Sequence, residues 1–361
     1  MKDFFTIADS FIIKGIAILM LLVHHCFLDA RRWGSCPVDF FPLTEKLTVS
    51  IAVECKICVA IFLFITAYGL TVKIKKLVSQ NSSFTDFSYV RFILQRIYKL
   101  YLNFWVIFLL ALGYSFVMGL GHFTKTYGRG KEAFGKFAID FLGMANMMHT
   151  PTFNGTWWYM SLVLGFIIAF PLLYAAYQKF GFLLFPALIL LPSALNLPYS
   201  SFISYLACAY VGVVFADKGY FGNLQTWQQN ASLSKKFAAF ISSILLLVIC
   251  FYILAIFKKV CGYKAFPFVL AIEASLVIAV AFTFVKNKYL QCLLHFLGKH
   301  SMNIFFVHTL IRHYWYHDFI YSFHNAWLIV LVLLLISLAI SFVIEFIKKL
   351  VRFEKILDFK I

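Results

Sequence analysis

Two ionisable side chains set along one apolar helix carry the clearest chemical signal in the sequence. The stretch Phe11 to Asp29, FIIKGIAILMLLVHHCFLD, has Lys14 near its start and His24 and His25 near its end. Ionisable groups at membrane depth are costly, so each is a functional-site hypothesis by default. Eleven steps of about 100° bring Lys14 and His25 to within about 20° of one helix face, about 16 Å apart along the axis. That is roughly half the hydrocarbon thickness. His24 points about 100° away from His25, so the two histidines have different tasks. A charged group near one surface and a titratable base towards the other, on one stripe, read as a site reaching across the membrane. The plain alternative is that Lys14 snorkels to the headgroups while both histidines sit at the opposite interface.

Further polar groups fall at similar depths. Glu54 lies a turn into the second apolar run, at the level expected for His25, where a carboxylate would orient the imidazole. Its bland reading is an interfacial partner for Lys56 or Arg31. Arg91, Arg96 and Lys99 precede the third run in VRFILQRIYKLYLNFW; on a helix Arg96 and Lys99 share a face. They read either as a cytoplasmic anchor or as a docking surface for a phosphate-bearing ligand. Late in the chain His308 and Arg312 stand one turn apart. His313 and His317 have i, i+4 spacing, but with no third ligand and no H-E-x-x-H pattern no metal is expected. Cys55 and Cys58 form a C-x-x-C inside an apolar run, where they behave as small hydrophobes. No Gly-rich phosphate loop, nucleophile elbow or carboxylate dyad is present.

These groups must be positioned by membrane helices. Of 361 residues 62% are hydrophobic and only 13% charged, with 44 Phe and 19 Tyr, which excludes a soluble globular protein. Apolar runs near twenty residues recur at bilayer-spanning length. The expected fold is an all-α polytopic integral membrane protein forming one domain over residues 1–361. Its ten spans are placed at about 11–28, 51–72, 100–120, 156–176, 181–196, 200–217, 237–257, 265–285, 301–320 and 325–347. Phe134 to Met148 reads as a shorter amphipathic or re-entrant helix. The first span lacks a small-residue cleavage site and reads as a retained helix. Counting Lys and Arg over the loops gives nineteen on the side of the N-terminus and ten on the other, so both termini are expected to be cytoplasmic. The net charge of +17 is spread through these loops, which argues against nucleic-acid binding.

Several stretches, taken together, resemble the membrane-bound acyltransferase-3 family of bacterial O-acyltransferases. IKGIAILMLLVHH resembles the family's opening signature of a basic residue, ten residues and a histidine, with Lys14 where arginine is more common and His25 as the histidine. AIFLFITAYGL (60–70) is similar to the second-span pattern, with Thr66 and Ala67 replacing its Ser-Gly. QRIYKLYLNFW (95–105) resembles the basic entry to the third span, with Asn103 where proline is usual. NGTWWYMSLVLGFIIAFPLLY (154–174) and GKHSMNIFFVHTLI (298–311) resemble the family's W-F-L-S and late G-K-x-S segments. The order and spacing agree over about residues 10 to 315. One departure stands out: many members carry an acidic residue in the fourth span, where this chain has Val163 and Leu164.

The resemblance implies transfer of a short acyl group, usually acetyl, from cytoplasmic acyl-coenzyme A to a hydroxyl of a cell-envelope polysaccharide or its polyprenyl-linked precursor. It implies a multi-pass protein of the bacterial cytoplasmic membrane that uses acetyl-CoA or another short acyl-CoA as donor and no metal. In that setting His25 is the base, supported by Lys14 and Glu54. Arg91, Arg96 and Lys99 meet the coenzyme A phosphates. Trp157 and Trp158 stack on a sugar, and His308 and Arg312 line the acceptor cavity or hold the oxyanion. Two other readings use the same residues. A flippase for a lipid-linked or acylated glycan would use the Lys, His and Glu groups as a proton relay. A catalytically silent relative would act as an assembly partner. Oligomeric state, acyl group and acceptor are not encoded in any motif.

Overall fold

The structure is a computed structural model that describes residues 5–80, 86–197, 200–353 and 356. It is helical throughout; among the described residues the only β pairing is an isolated bridge between Asp39 and Asn325. This is what an apolar solvent requires, because a helix satisfies its backbone hydrogen bonds within one segment. In chain order the helices are α1 (Ile7–Phe27), α2 (Glu45–Glu54), α3 (Cys58–Gln80), α4 (Asp86–Val117), α5 (His122–Tyr127), α6 (Lys131–Phe141) and α7 (Trp158–Phe180). They continue as α8 (Leu184–Ala194), α9 (Ser201–Lys218), α10 (Tyr220–Asn230), α11 (Leu233–Cys261), α12 (Phe266–Phe284), α13 (Lys288–Thr309), α14 (His317–Tyr321) and α15 (Ala326–Leu350).

Among the described residues eight stretches are long and apolar enough to cross a membrane, so the chain is an all-α polytopic membrane protein. Eight differs from ten for two local reasons. Residues 156–176 and 181–196 lie on one apolar stretch, Gly155–Ala194, broken only by the 3₁₀ turn Gly181–Leu183. The segment 301–320 falls largely on the second half of α13 and a π-helical turn, Leu310–Trp315, where His308, Arg312 and His313 dilute the apolar character. The basic segment 91–99 belongs to α4 itself, which runs without a break into the third apolar stretch.

The chain divides into two compact units. The first comprises residues 1–18, 56–84 and 169–299. Its core packs α3, α9 and α12 closely enough that a Cβ on Gly212 would strike the Phe64 carbonyl. An aromatic cluster of Tyr68, Phe221 and Phe282 fills the space beside it. Polar groups here are paired: Lys75 Nζ donates to Asp217 Oδ1 at 2.8 Å, and Tyr177 donates to Oδ2 at 2.8 Å. Glu273 is fully buried and pairs with Lys258, whose Nζ lies 3.2 Å from its Oε1.

Two glycines set the closest helix contact of this unit. A Cβ on Gly15 would meet the Leu294 carbonyl, and one on Gly298 would meet the Phe11 carbonyl. Small residues that let backbones approach are how membrane helices gain packing without a hydrophobic drive between them. Gly298→Val is therefore expected to force α1 and α13 apart. We expect a loss of about 2 kcal/mol or more, at the upper end of overpacking costs. It should be read as a lower melting temperature in detergent, with Gly69→Ala, which meets open space, as the unaffected control.

The second unit comprises residues 19–55, 85–168 and 300–361. Trp157, only 2% exposed, packs among Phe104, Phe108 and Phe153. Its indole N–H and the Asn154 amide both donate to the Phe306 carbonyl, at 3.0 and 2.8 Å. Buried Asp140 accepts from Tyr127 and from the Phe153 N–H, each at 2.6 Å. Burial pushes its carboxyl above the usual range, and these bonds oppose the rise. Asn303 of α13 donates to both Ser341 and Glu345 of α15, and within α15 Lys348 donates to the same Glu345 at 2.8 Å.

Candidate functional site

The second unit gathers a basic cluster at the end of α1. His24 and His25 occupy its last turn, with ring centroids 5.1 Å apart. His24 is buried, and its Nδ1 lies 2.7 Å from the Ala52 carbonyl in α2. A carbonyl only accepts, so Nδ1 carries the hydrogen. His24 therefore ties α1 to α2. His25, one residue on, points elsewhere: its ring sits 4.8 Å from that of His308. Among the described residues no hydrogen bond occupies either ring nitrogen of His25, which leaves a lone pair for a proton to be taken up.

His308 is held in one tautomer. Its Nδ1 lies 3.0 Å from the Ile304 carbonyl and 2.9 Å from that of Phe305, so this nitrogen donates. Its Nε2 then accepts from the Thr309 hydroxyl at 3.0 Å. A ring that donates at one nitrogen and accepts at the other is a neutral imidazole. Directly after Thr309 the chain enters the π turn Leu310–Trp315, a distortion found mostly at functional sites.

Arg312 lies on that turn and is 0% exposed. Its Nη1 donates to the Tyr321 hydroxyl at 3.4 Å. Nε and Nη2 have no hydrogen-bond partner among the described residues. Tyr321 in turn donates to the Cys26 carbonyl at 3.0 Å, satisfying a carbonyl that the end of α1 leaves without an intrahelical partner. Tyr321 thus fixes Arg312 relative to His25.

A second guanidinium stands nearby. Asp29 caps the 3₁₀ turn Ala30–Arg32 and accepts from Arg31 Nε at 3.0 Å, and these bonds hold its carboxyl below the usual carboxylate range. Asp29 is thereby committed to Arg31. Arg32 is half-buried, and burial and then Arg312 both act against its charge. The charged and titratable groups facing His25 are His308, His24, Arg312 and Arg32, all basic. A neutral base beside two guanidinium groups, one with unfilled donors, is suited to a reaction in which negative charge develops on oxygen.

The structure brings His25, His308 and Arg312 together and distributes the other expected residues. Lys14 lies in the first unit, its Nζ 5.3 Å from the Phe11 ring centroid, a cation–π contact. Glu54 is the last residue of α2; the contact that joins α1 to α2 runs through His24 and the Ala52 carbonyl. Arg91 and Lys99 are exposed on α4, and the guanidinium of Arg96 packs 5.2 Å from the Phe92 ring centroid. Trp157 is an anchor in the aromatic core, with no open face for a sugar, whereas Trp158 is partly exposed beside Tyr159. His313 and His317 do not share a helix, since Tyr316, at φ −134°, ends the π turn between them.

Arg32, Thr309 and Tyr321 join the cluster without having been singled out in the sequence. Arg32 was legible only as the second of two arginines following the histidines. Nothing marked Tyr321, because its partners Arg312 and Cys26 come from separate segments.

A model described as an acyltransferase domain, Acyl_transf_3, matches residues 11–346, nearly the whole chain, and the protein belongs to that family. No curated protein and no solved structure matches it.

Proposed function

We propose that this membrane acyltransferase moves a short acyl group, acetyl by preference, from acyl-coenzyme A to a hydroxyl of a cell-envelope polysaccharide or its lipid-linked precursor. The observation that carries this reading is His25, whose ring nitrogens have no hydrogen-bond partner among the described residues, beside a buried Arg312 whose Nε and Nη2 have none among them either. His25 takes the proton of the acceptor hydroxyl as its oxygen attacks the thioester carbonyl. Arg312 donates to the oxyanion of the tetrahedral intermediate. Collapse breaks the carbon–sulfur bond, the coenzyme A thiolate leaves, and the proton held on His25 returns to it. The neutral His308 ring packs against His25 and limits the positions that ring can take.

Arg91, Arg96 and Lys99 would receive the donor's phosphates, an anionic task for which a guanidinium fork is well suited. Trp158 would face the acceptor sugar. Glu54 keeps an orienting role for the histidine end of α1 through the helix it terminates. In this reading the protein resides in a bacterial cytoplasmic membrane with both termini in the cytoplasm.

Membranes containing the protein should transfer radiolabelled acetyl from acetyl-CoA into the envelope glycan fraction. Loss of the label with His25→Ala, at equal protein level, is the expected outcome. If no acyl-CoA delivers label to any glycan fraction while a labelled lipid-linked glycan crosses the membrane, the protein is a transporter instead.

A further inference from the structure

Away from the transfer site, the turn after α1 and the start of α14 bring three metal-ligating side chains together. The ligand atoms of Cys36, His317 and Asp318 all lie within 4.8 Å of one another. The turn that presents Cys36 is fixed locally: Asp29 caps it, the Gly34 N–H bonds to the Ala30 carbonyl at 3.1 Å, and the Cys36 N–H to that of Trp33 at 3.0 Å.

The histidine decides the character of the cluster. His317 Nε2 lies 3.0 Å from the Arg32 carbonyl, so that nitrogen carries a hydrogen. Its other nitrogen, Nδ1, stands 2.9 Å from Asp318 Oδ1. Without a hydrogen on Nδ1, two lone pairs face each other there, and something positive must lie between them: a proton or a metal cation. A histidine that donates its remote N–H to a backbone carbonyl is in the orientation metal-ligating histidines adopt. Cys36 then adds a soft donor that a proton-sharing pair has no use for.

We propose that Cys36, His317 and Asp318 form a binding site for a divalent cation of the zinc class. A thiolate, a carboxylate and a neutral imidazole together carry two negative charges, which matches a dication. Sulfur, nitrogen and single-oxygen donors suit zinc, whereas calcium and magnesium demand oxygen shells. Tetrahedral zinc would set these ligand atoms about 3.3–3.8 Å apart. From separations within 4.8 Å the sulfur need close by no more than about 1.5 Å, and the His317–Asp318 pair, now at 2.9 Å, opens by about 0.5 Å. Asp318, 97% exposed, is free to adjust and leaves the fourth position to water. The bound ion fastens the turn that carries Arg32 to the helix that carries Tyr321. Both segments border His25, so the site braces the transfer cluster without taking part in the chemistry.

The test uses the full chain purified in detergent, stripped with a chelator and reloaded with Zn²⁺. Elemental analysis is expected to give about one zinc per chain, falling at least five-fold in Cys36→Ser and in His317→Gln. Cys292→Ser, at an exposed cysteine on α13, should keep the wild-type content. Titrating the stripped wild type with Co²⁺ should raise a thiolate-to-metal charge-transfer band, a readout that does not depend on any variant folding. Equal zinc in wild type and in the Cys36→Ser, His317→Gln double variant, or no thiolate band with Co²⁺, overturns the site and leaves a proton-bridged His317–Asp318 pair.

Discussion

Replacing His25 with alanine is expected to reduce acyl transfer by about 10²–10⁴-fold, the usual worth of a positioned general base. The protein should nevertheless fold, because among the described residues His25 makes ring contacts with His24 and His308 but no hydrogen bond. Its neighbour supplies the contrast. His24 is buried and tethers α1 to the Ala52 carbonyl, so His24→Ala removes that tether. That should cost about 1–3 kcal/mol of stability while the residual folded protein keeps its rate. Measuring initial rates and melting temperatures for both variants separates the two roles. A folded His25→Ala protein with near wild-type rates would remove His25 from the chemistry and keep only the family assignment.

Arg312→Met should have the reverse relation between activity and stability. Its guanidinium is fully buried, bonded through Nη1 to Tyr321, and holds two further nitrogens without partners among the described residues. A buried charge with unfilled donors is costly in the resting protein, and an apolar side chain of similar volume is often neutral or stabilising in such a place. We therefore expect Arg312→Met to melt at or above the wild-type temperature. Its transfer rate should fall by about 10²–10³-fold, the effect of removing one oxyanion donor. The defect should appear in kcat more than in KM, because the donated bond strengthens only as the oxyanion forms. Arg312→Lys keeps the charge but not the planar fork, and should recover only part of the rate. A variant that unfolds, or that loses KM alone, would make Arg312 a structural or ground-state binding residue.

The same cluster shows what a sequence can and cannot disclose. The positions of His25 and Arg312 were visible as polar groups inside apolar runs, since burying them is costly wherever the chain places them. The rule that adjacent helical residues point about 100° apart separated His24 from His25, and the structure gives them different partners. Trp157 shows the limit. A tryptophan pair next to a span suggests a sugar platform, yet only one of the two rings is at the surface, and the choice rests on Phe104, Phe108 and Phe306 from other helices. Glu54 was placed by its depth along an apolar run, and depth along a helix says nothing of which residue of a neighbouring helix it meets.

By itself the sequence determined that this is an all-α membrane protein, that α1 carries a lysine and a histidine at helical spacing, and which family it belongs to. Hydropathy and helical period are local properties, complete within about twenty residues, and lipid leaves the backbone no other choice. The tertiary structure alone decided that His308 is locked as a neutral tautomer, that Tyr321 ties Arg312 to the end of α1, and that Cys36 meets His317. Each of those facts depends on where the packing of helices and the redirection at a π turn bring particular atoms. No pattern of spacing carries that information.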